Sequence, residues 1–341
     1  MGVQISEIIP RKKIELSELK DKVIAIDAFN TLYQFLTTIR QIDGTPLMDK
    51  NGDITSHLSG LFYRNINLLQ EGIMPVYVFD GIPPELKQEE IKKRKEAKRI
   101  AEEKFKEAKE KENVEEMKKY GGRFVKITDK IIQQSKELLG AMGIPVIQAP
   151  SEGESEAAVL ARTKKVWAAA SQDYDSLLYA TPYLIRNLVS AKRKKMPSGL
   201  YEDIKPELIE FQQVLNQLQI DKDQLICLAI LVGTDYNPGG VMGVGQKRAL
   251  EIVQRYKYPV TIFEQASKKY ELTFDWQEIF KQFHEYESPY EEEIVFEKVN
   301  EKKVREILLA HDFSENRINA GLQRIKAIDE LKKQRGLSDF F

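Results

Sequence analysis

Cysteine is almost absent from this chain, because only one of its 341 residues, Cys227, is a cysteine. A single cysteine excludes an intrachain disulfide and a zinc site built from cysteines. Long hydrophobic runs are also missing. The longest uninterrupted apolar stretch is Leu225–Val232, far shorter than the roughly 20 residues that cross a bilayer. The N-terminus lacks the basic-then-apolar pattern of a signal peptide. We therefore expect a soluble intracellular protein without membrane contact.

An excess of charge of one sign is lacking as well. The 52 Lys and Arg nearly balance the 53 Asp and Glu, which leaves a formal net charge of −1. Such a balance hides local patches, so charge has to be followed along the chain. Residues 87–126 hold 15 basic and 10 acidic residues in 40 positions. A helix of this composition has too little apolar surface to join a core and should project into solvent. It is either a solvated face or, where Lys92–Lys95 concentrate the charge, a phosphate-facing surface.

Three short apolar runs predict the strands of a sheet. Val23–Asp27 and Val76–Asp80 each end in an aspartate, and Val166–Ala170 is followed by Asp173 and Asp175. Their length and their β-branched or aromatic content indicate buried strands, less clearly for the alanine-rich third run.

Helical stretches are predicted between these strands, at residues 30–40 and 57–71. Alternating strands and helices predict an α/β domain with a mainly parallel sheet. Ligands of such sheets bind beyond the carboxyl ends of the strands. The aspartates that close the apolar runs should therefore meet at one edge of the sheet.

Two pairs of carboxylates extend this candidate site. Asp173 and Asp175 are two residues apart, so in extended chain they would share a face and could converge on one ion. Glu152 and Glu154 stand at a predicted helix start, where a capping box between Ser151 and Glu154 is the alternative. A single acid in such a place is typically a cap or a turn residue. Several acids at the ends of buried strands are harder to explain in this way, because a buried carboxylate without a partner costs folding free energy.

Asp235, which follows the apolar run at 225–232, completes a set of seven acids. The set is Asp27, Asp80, Glu152, Glu154, Asp173, Asp175 and Asp235. Oxygen ligands without cysteine suit Mg²⁺ or Mn²⁺ rather than zinc. Seven carboxylates carry −7 and two divalent ions return +4, so a net negative charge remains. Such a charge would suit a site that also recruits cations and a phosphate that bridges the metals. Two ions about 4 Å apart can activate water and stabilise the leaving oxygen in phosphodiester hydrolysis.

Five segments around these acids resemble the motifs of a known family. They are residues 25–36, 76–87, 150–158, 171–178 and 231–240. In order and approximate spacing they resemble the flap endonuclease 1 family of structure-specific 5′ nucleases, in its archaeal form, over residues 1 to about 260. The resemblance implies a PIN-like α/β core with a helical arch and a helix–two-turn–helix element. It also implies cleavage of 5′ flaps in DNA replication and repair, with two Mg²⁺ ions held by the seven acids and Mn²⁺ as a substitute.

The resemblance assigns three residues to the cleavage point. Lys87 and Arg94 correspond to arch cations that contact the scissile phosphate, and their i to i+7 spacing puts them on one helix face. A solvated face is the alternative for both. Tyr33 corresponds to an aromatic that stacks on the nucleotide next to the cut, with core packing as its alternative.

Further DNA contacts are implied at two places. Thr55, Ser56 and Arg64 resemble parts of a pocket for a one-nucleotide 3′ flap, and Arg40 is a further DNA-binding candidate. The other place is the helix–two-turn–helix at about 222–258, which in the family grips duplex phosphates through backbone groups and a K⁺ ion. Its candidates are Gly243, Gly245, Lys247 and Arg248. A glycine-rich turn before a helix is the alternative there.

The C-terminal residues match a partner-binding motif. Gln334, Leu337, Phe340 and Phe341 resemble the sliding-clamp (PCNA) interaction box, whereas a frayed terminus is the alternative. We therefore predict a nuclease domain over residues 1–327, with the arch at about 81–130, and a clamp-binding tail over 328–341. The free protein is expected to be a monomer in the cytoplasm, at the nucleoid, or in the nucleus if the protein is eukaryotic.

Two other functions compete with the 5′ flap endonuclease and its companion 5′–3′ exonuclease activity. A sister nuclease of the same superfamily, an exonuclease or a repair-bubble cutter, would share the acids. The absence of a very long arch insertion and the short C-terminus argue against the repair type. A non-catalytic DNA-binding scaffold is expected to lack at least one of the seven acids, and this chain has all of them.

Overall fold

The computed structural model describes residues 2–111, 113–122, 125–190, 193–195 and 201–338. Its strands are β1 (Lys12–Lys13), β2 (Val23–Asp27), β3 (Met74–Phe79), β4 (Val146–Gln148), β5 (Ala168–Ala170), β6 (Tyr183–Arg186), β7 (Arg193–Lys195), β8 (Tyr201–Asp203) and β9 (Glu207–Glu210). Its helices are α1 (Ala28–Thr38), α2 (Ser56–Gln70), α3 (Gln88–Glu110), α4 (Val114–Gly121), α5 (Asp129–Ala141), α6 (Gly153–Arg162), α7 (Phe211–Leu218), α8 (Lys222–Val232), α9 (Gln246–Tyr256), α10 (Pro259–Ser267), α11 (Trp276–His284), α12 (Glu301–Ala310) and α13 (Glu315–Ser338). Among these described helices, none combines the length and the apolar character needed to span a membrane.

A seven-stranded sheet of order β1-β9-β6-β5-β2-β3-β4 forms the centre of the fold. The five strands from β6 to β4 run parallel, and β9 and β1 add an antiparallel edge. Strands β7 and β8 form a separate antiparallel ribbon. This topology confirms the predicted α/β fold with a mainly parallel sheet.

The central strands are buried on both faces. In β2, Ile26 packs with Tyr77 of β3 in the cluster on one face, whereas Ala25 packs with Val78 of β3 on the other. Successive side chains of a strand point to opposite faces, so both sets must be apolar. This is why the strands are continuous apolar runs instead of alternating patterns.

The predicted boundaries shift at four elements. Strand β3 begins two residues before the predicted run and ends one residue before Asp80. The alanine-rich strand is only Ala168–Ala170, and Trp167 before it stacks on Tyr183 with ring centroids 4.6 Å apart. Helix α1 begins two residues earlier than predicted, and α2 begins one residue earlier. At α1 the reason is the cap, since the Asp27 carboxylate accepts from the backbone N–H of Asn30 at 3.0 Å.

The charged segment after β3 forms a pair of helices where the composition predicts one. Helices α3 and α4 pack against each other, and the buried side chains of α3 are both small, Ala101 and Ala108. Met117 of α4 is buried as well. Small residues let two helices approach closely without a large core. The charged side chains can therefore stay in solvent while the pair remains packed.

Helices α8 and α9 pack on each other on either side of a glycine-rich turn. Leu225–Leu231 of α8 are fully buried, as the apolar run predicts. Helix α8 ends at Gly233, whose φ of +113° suits glycine. The chain then returns, with Val241 N–H donating to the Leu231 carbonyl at 2.8 Å.

Candidate active site

Asp27 and Asp80 lie side by side at the carboxyl edge of the sheet. Asp27 is the last residue of β2, and Asp80 directly follows β3, its parallel neighbour. Asp27 caps α1, so the cap alternative is also true for this residue. Asp80 accepts from the backbone N–H of Gly153 at 2.7 Å, which ties β3 to the start of α6.

Helix α6 brings two glutamates to the same edge. Glu152 is its N-cap residue, but no side chain caps the helix, so the capping box of Ser151 and Glu154 does not form. Glu154 instead accepts from the backbone N–H and the hydroxyl of Ser176, at 3.1 and 2.8 Å. A Cβ at Gly153 would lie 2.8 Å from the Val78 carbonyl oxygen, so only glycine lets α6 approach the sheet here.

Asp173 and Asp175 reach the site from a turn. Strand β5 ends at Ala170 and Asp175 begins a short 3₁₀ turn, so the predicted extended pairing of the two acids is wrong. The chain's N-terminus holds them instead. Gly2 N–H donates to Asp173 at 3.0 Å and Val3 N–H donates to Asp175 at 2.6 Å. A Cβ at Gly2 would lie 2.7 Å from the Asp173 Cβ, which leaves room only for glycine.

Asp235 faces two cations from the arch. Arg94 Nη2 donates to its Oδ2 at 2.6 Å, and Lys87 Nζ lies 3.0 Å from the same atom. Lys87 also pairs with Glu152. Lys87 ends the short 3₁₀ turn before α3 and is the N-cap residue of that helix, so of the two cations only Arg94 lies on the helix, although both reach the acids.

Six of the seven acids and both cations surround one cleft of about 470 Å³, and Asp175 is not among the residues that line it. The cleft is lined by Asp27, Phe29, Asn30, Tyr33, Asp80, Lys87, Glu90, Arg94, Ala97, Lys98, Ile127, Glu152, Glu154, Asp173 and Asp235. Tyr33 is 38% exposed, and Lys98 Nζ lies 5.6 Å from the centroid of its ring. Its ring therefore faces the cleft and is not core packing.

The acids crowd one another in a region of little water. Burial and the neighbouring Asp80 raise the pKa of Asp27 to about 8. Burial, with Asp235 beside it, raises the pKa of Asp175 to about 7, and burial raises that of Asp80 to about 6. The pKa of Glu154 is also raised, by burial and then by Asp175. The centre is short of positive charge.

Asp235 titrates in the opposite direction. Burial acts to raise its pKa, but Lys87 and Arg94 together hold the pKa below its usual range. Burial would likewise lower the pKa of Lys87, which Glu152 and Asp235 raise instead. The arch cations therefore neutralise the Asp235 side of the cluster, whereas the pKa values of the acids on the other side stay raised.

This donor set fits divalent cations such as Mg²⁺. All the donors are oxygens, most are buried, and they repel each other until a cation lies among them. Removing metal should therefore make stability depend on pH. An unfolded chain loses these protons near pH 4, whereas the folded chain keeps those of Asp80, Asp175 and Asp27 up to about 6, 7 and 8. The folded state binds more protons in this range, so its stability falls as pH rises through it.

We predict that the melting temperature in EDTA decreases from pH 5 to pH 8. Added Mg²⁺ should raise it more at pH 8 than at pH 6, because binding then displaces fewer protons. Scanning calorimetry at several pH values measures both. An Asp27→Asn variant, which lacks one of the acids whose pKa is raised, is the control and should show a shallower decrease. A melting temperature in EDTA that rises over this range would contradict the charge assignment.

Two buried contacts at this centre have no signal in the sequence. Tyr236 donates its hydroxyl to Glu152. Glu156, one turn further along α6, is fully buried and accepts from Ser288 and, at 3.1 Å, from the Tyr286 hydroxyl. Both partners of Glu156 are about 130 residues away, so no local pattern could indicate them.

A second group of possible metal ligands lies on the loop before α2 and after α12. Asp49, Asp53 and His311 each offer an atom within 4.8 Å of the others. These atoms already have partners: His311 Nδ1 is 2.8 Å from Asp49 Oδ2, and Lys130 Nζ is 2.6 Å from Asp53 Oδ1. No sequence pattern predicts this group, because His311 lies more than 250 residues beyond the two aspartates.

The candidate 3′-flap residues lie around the start of α2. Thr55 is its N-cap residue and is buried. Ser56 is fully buried, and its hydroxyl donates to the Ile39 carbonyl at 2.6 Å and accepts from Leu47 N–H at 2.9 Å. It therefore ties the preceding loop together. Arg64, further along α2, is partly buried.

Arg40 lies beneath the arch. A Cβ at Gly122, just after α4, would lie 2.4 Å from the Arg40 Nη2 atom. Burial lowers the pKa of the Arg40 guanidinium. The Arg40 guanidinium therefore packs closely against the backbone that follows α4.

The remaining DNA candidates surround the start of α9. Gly243 has a φ of +83°, and Gly245 is the N-cap residue of α9. A Cβ at either position would meet no atom within 4 Å, so both backbones are open. The Lys247 side chain is 79% exposed, and Arg248 lines a surface groove between α9 and α10.

The predicted clamp-binding residues are only partly described. Gln334 and Leu337 lie on α13, whose last residue is Ser338, and nothing is described of their side chains. Phe340 and Phe341 lie outside the described residues. Helix α13 is anchored earlier by Ile318, Leu322 and Ile325, which are buried in the core.

The fold and this acidic cleft define a metal-dependent nuclease. The XPG N-terminal domain matches residues 1–101, and the XPG I-region matches residues 143–235. Flap endonuclease 1 of Thermococcus onnurineus is 51% identical over 343 residues, which cover 100% of this chain and 99% of that protein. The chain belongs to the flap endonuclease 1 family.

Solved structures agree with this assignment. Flap endonuclease-1 from Methanococcus jannaschii superposes with a TM-score of 0.74 at 40% identity, over 97% of this chain and 100% of that one. The catalytic core of Rad2 in complex with a DNA substrate shares the fold, with a TM-score of 0.69 at 23% identity over 92% of this chain and 96% of that one. The protein is a structure-specific flap nuclease that hydrolyses DNA phosphodiester bonds in replication and repair, and the family and the acidic centre indicate that it uses divalent metal.

Proposed function

We propose that the seven acids hold two Mg²⁺ ions, and that the enzyme cuts 5′ flaps to leave a 5′-phosphate. The observation that carries this proposal is the convergence of six of the acids with Lys87 and Arg94 on one cleft, with Asp175 close enough to Asp173 and Asp235 to interact with both. Two bound ions would supply an activated water and stabilise the leaving oxygen. Mn²⁺ is expected to substitute, since it accepts the same oxygen ligands.

The arch cations are proposed to act on the scissile phosphate. Lys87 and Arg94 already reach Asp235 in the cleft, so a phosphate beside the acids lies within their range. Preorganised charge of this kind is most effective where negative charge develops. Tyr33, whose exposed ring lines the same cleft, is proposed to stack on the nucleotide next to the cut.

Four residues are proposed to recognise DNA near the junction. Arg40 is one of them, and the other three, Thr55, Ser56 and Arg64, are proposed to bind a 3′ flap. Thr55 and Ser56 would contribute mainly through backbone and shape, because both side chains are buried. The arch (about 81–130) and the helix–two-turn–helix (about 222–258) are proposed as parts of one nuclease domain, residues 1–327.

The open turn before α9 is proposed to grip duplex phosphates with a K⁺ ion. Gly243 and Gly245 leave their backbone groups accessible, and Lys247 and Arg248 stand beside them.

We predict that Lys247→Ala and Arg248→Ala weaken binding to all duplex substrates alike. Removing one cation that touches a phosphate should reduce the salt slope of log Kd by about one.

Fluorescence anisotropy with several duplex sequences in a KCl series measures this effect. Lys302→Ala, an exposed lysine on α12, is the control and should leave the slope unchanged. Weakening confined to one sequence would contradict phosphate recognition.

The tail at 328–341 is proposed to bind a sliding clamp (PCNA) through Gln334, Leu337, Phe340 and Phe341. Two adjacent phenylalanines that follow a charged segment of the sequence suit an apolar pocket on a partner. We predict that Phe340→Ala with Phe341→Ala abolishes clamp binding in calorimetric titration but keeps clamp-free cleavage. Unchanged clamp affinity would show that this motif does not bind the clamp.

The free protein is proposed to be a monomer at the nucleoid in the cytoplasm.

Cleavage of a panel of labelled substrates tests the proposed reaction. A double flap should be cut far faster than a blunt duplex, a bubble or a 3′ flap, in Mg²⁺ but not in EDTA. A 5′–3′ exonuclease activity at the same cleft is expected on nicked duplex. Preferential cleavage of the bubble would favour the sister repair nuclease. Binding without cleavage would favour the scaffold.

A further inference from the structure

Arg94 has two carboxylate partners, which hold different atoms of its guanidinium. Its Nη2 donates to Asp235 of the cleft at 2.6 Å, and its Nε donates to Glu90 at 2.7 Å. Glu90 lies one turn earlier on the same helix, α3. The two contacts together fix the plane of the guanidinium, since they hold it at both ends.

Glu90 stands in a place where a carboxylate is otherwise unfavourable. It lines the cleft that already contains six acids, and its side chain is only 14% exposed. The cleft has to admit an anionic DNA backbone, which a further acid would repel. The neighbouring Glu89, in the same first turn of α3, is exposed to solvent. A helix-dipole role would be served by either residue, so it does not explain why Glu90 faces inwards.

We propose that Glu90 is a positioning residue, which holds the Arg94 guanidinium in the cleft. This inference rests on the proposed role of Arg94. Asp235 is one of the proposed metal ligands, so its oxygens have another partner whenever the site is loaded. Glu90 is on the same helix as Arg94, at i and i+4, so its contact moves with the arch and does not depend on the acid cluster. Without Glu90, the long arginine side chain would be free to sample many rotamers, and its charge would be poorly aligned with the phosphate.

A double-mutant cycle tests this inference. The variants are Glu90→Ala, Glu90→Gln, Arg94→Ala, the double Glu90→Ala/Arg94→Ala, and Glu89→Ala as the matched control. Single-turnover cleavage of a 5′ flap by saturating enzyme gives the rate of the chemical step. Anisotropy in EDTA gives the affinity for the same DNA without cleavage, and thermal unfolding reports on the fold.

We expect Glu90→Ala to lower the single-turnover rate about tenfold. Its DNA affinity should not fall, since an acid has been removed from the cleft. Glu90→Gln keeps an oxygen that accepts from Arg94 Nε, so it should retain the rate within about threefold. Glu89→Ala should cleave like the parent. In the Arg94→Ala background, Glu90→Ala should have no further effect, because the group it positions is gone.

Several results would overturn the inference. A parental rate for Glu90→Ala excludes a positioning role, and a further tenfold decrease in the Arg94→Ala background means that Glu90 acts by itself. A decrease in Glu90→Gln as large as in Glu90→Ala would show that charge matters and the accepted hydrogen bond does not. If Arg94→Ala itself cleaves at the parental rate, the proposed role of Arg94 is wrong and the inference falls with it.

Discussion

Replacing Asp173 with asparagine should lower the single-turnover cleavage rate at least about a thousandfold, which corresponds to about 4 kcal/mol of activation free energy. Asp173 lies between two structural donors, since Gly2 N–H and the Asn30 side chain both contact it, at 3.0 and 3.2 Å. An amide in its place keeps the shape of the side chain but removes the negative charge. A neutral oxygen binds a hard divalent cation weakly, so the proposed metal pair would be incomplete.

DNA affinity should survive this substitution. The proposed phosphate contacts are on the arch and at the start of α9, and removing a negative charge from the cleft does not weaken the attraction of DNA. Asp275→Asn is the matched control, because Asp275 caps α11 and asparagine caps a helix equally well. Cleavage in Mg²⁺ and binding in EDTA are measured on the same flap. Substantial Mg²⁺-dependent turnover by Asp173→Asn would refute the assignment of the acid to the metals.

The acids were predictable because parallel strands end at the same edge of a sheet. Asp27 and Asp80 follow neighbouring strands, so the apolar runs that predicted the sheet also brought these residues together. Asp173 and Asp175 do converge, but an extended chain does not bring them together as the sequence predicts. Strand β5 is three residues long and ends before them, and the turn that carries them is held by the N-terminus. Such contacts across 170 residues leave no local pattern.

The charged segment between β3 and α5 shows a different limit. Its composition correctly predicts little burial, but it could not distinguish one projecting helix from the packed pair α3 and α4. The buried residues of α3 are alanines, whose small size is not recognisable as a core pattern. The sequence of this segment does not indicate a role for Glu90, because an acid four residues before an arginine is typical of a solvated helix face. Only the orientation of α3 over the acids makes this pair part of the cleft.

Lys87 is expected to be the arch cation with the largest effect on chemistry. Replacing it with alanine should reduce the single-turnover rate by about 10²–10³, or roughly 3–4 kcal/mol, with a much smaller change in DNA affinity. Its side chain is only 18% exposed and contacts both Glu152 and Asp235. Charge held in so little water interacts strongly with a phosphate that becomes more anionic in the transition state. Arg94→Ala should behave in the same way, although its side chain is more exposed, at 41%.

The distinction between chemistry and affinity decides the role of these cations. If Lys87 were only a grip on the backbone, Lys87→Ala would weaken binding and cut at the parental rate once the enzyme is saturating. Lys95→Ala is the matched control, since Lys95 is an exposed lysine on α3, the helix that Lys87 precedes. It should alter salt-dependent affinity at most, because an exposed charge is screened by solvent. A rate decrease in Lys95→Ala as large as in Lys87→Ala would mean that the arch acts through its total charge and that the position of Lys87 over the acids has no special role.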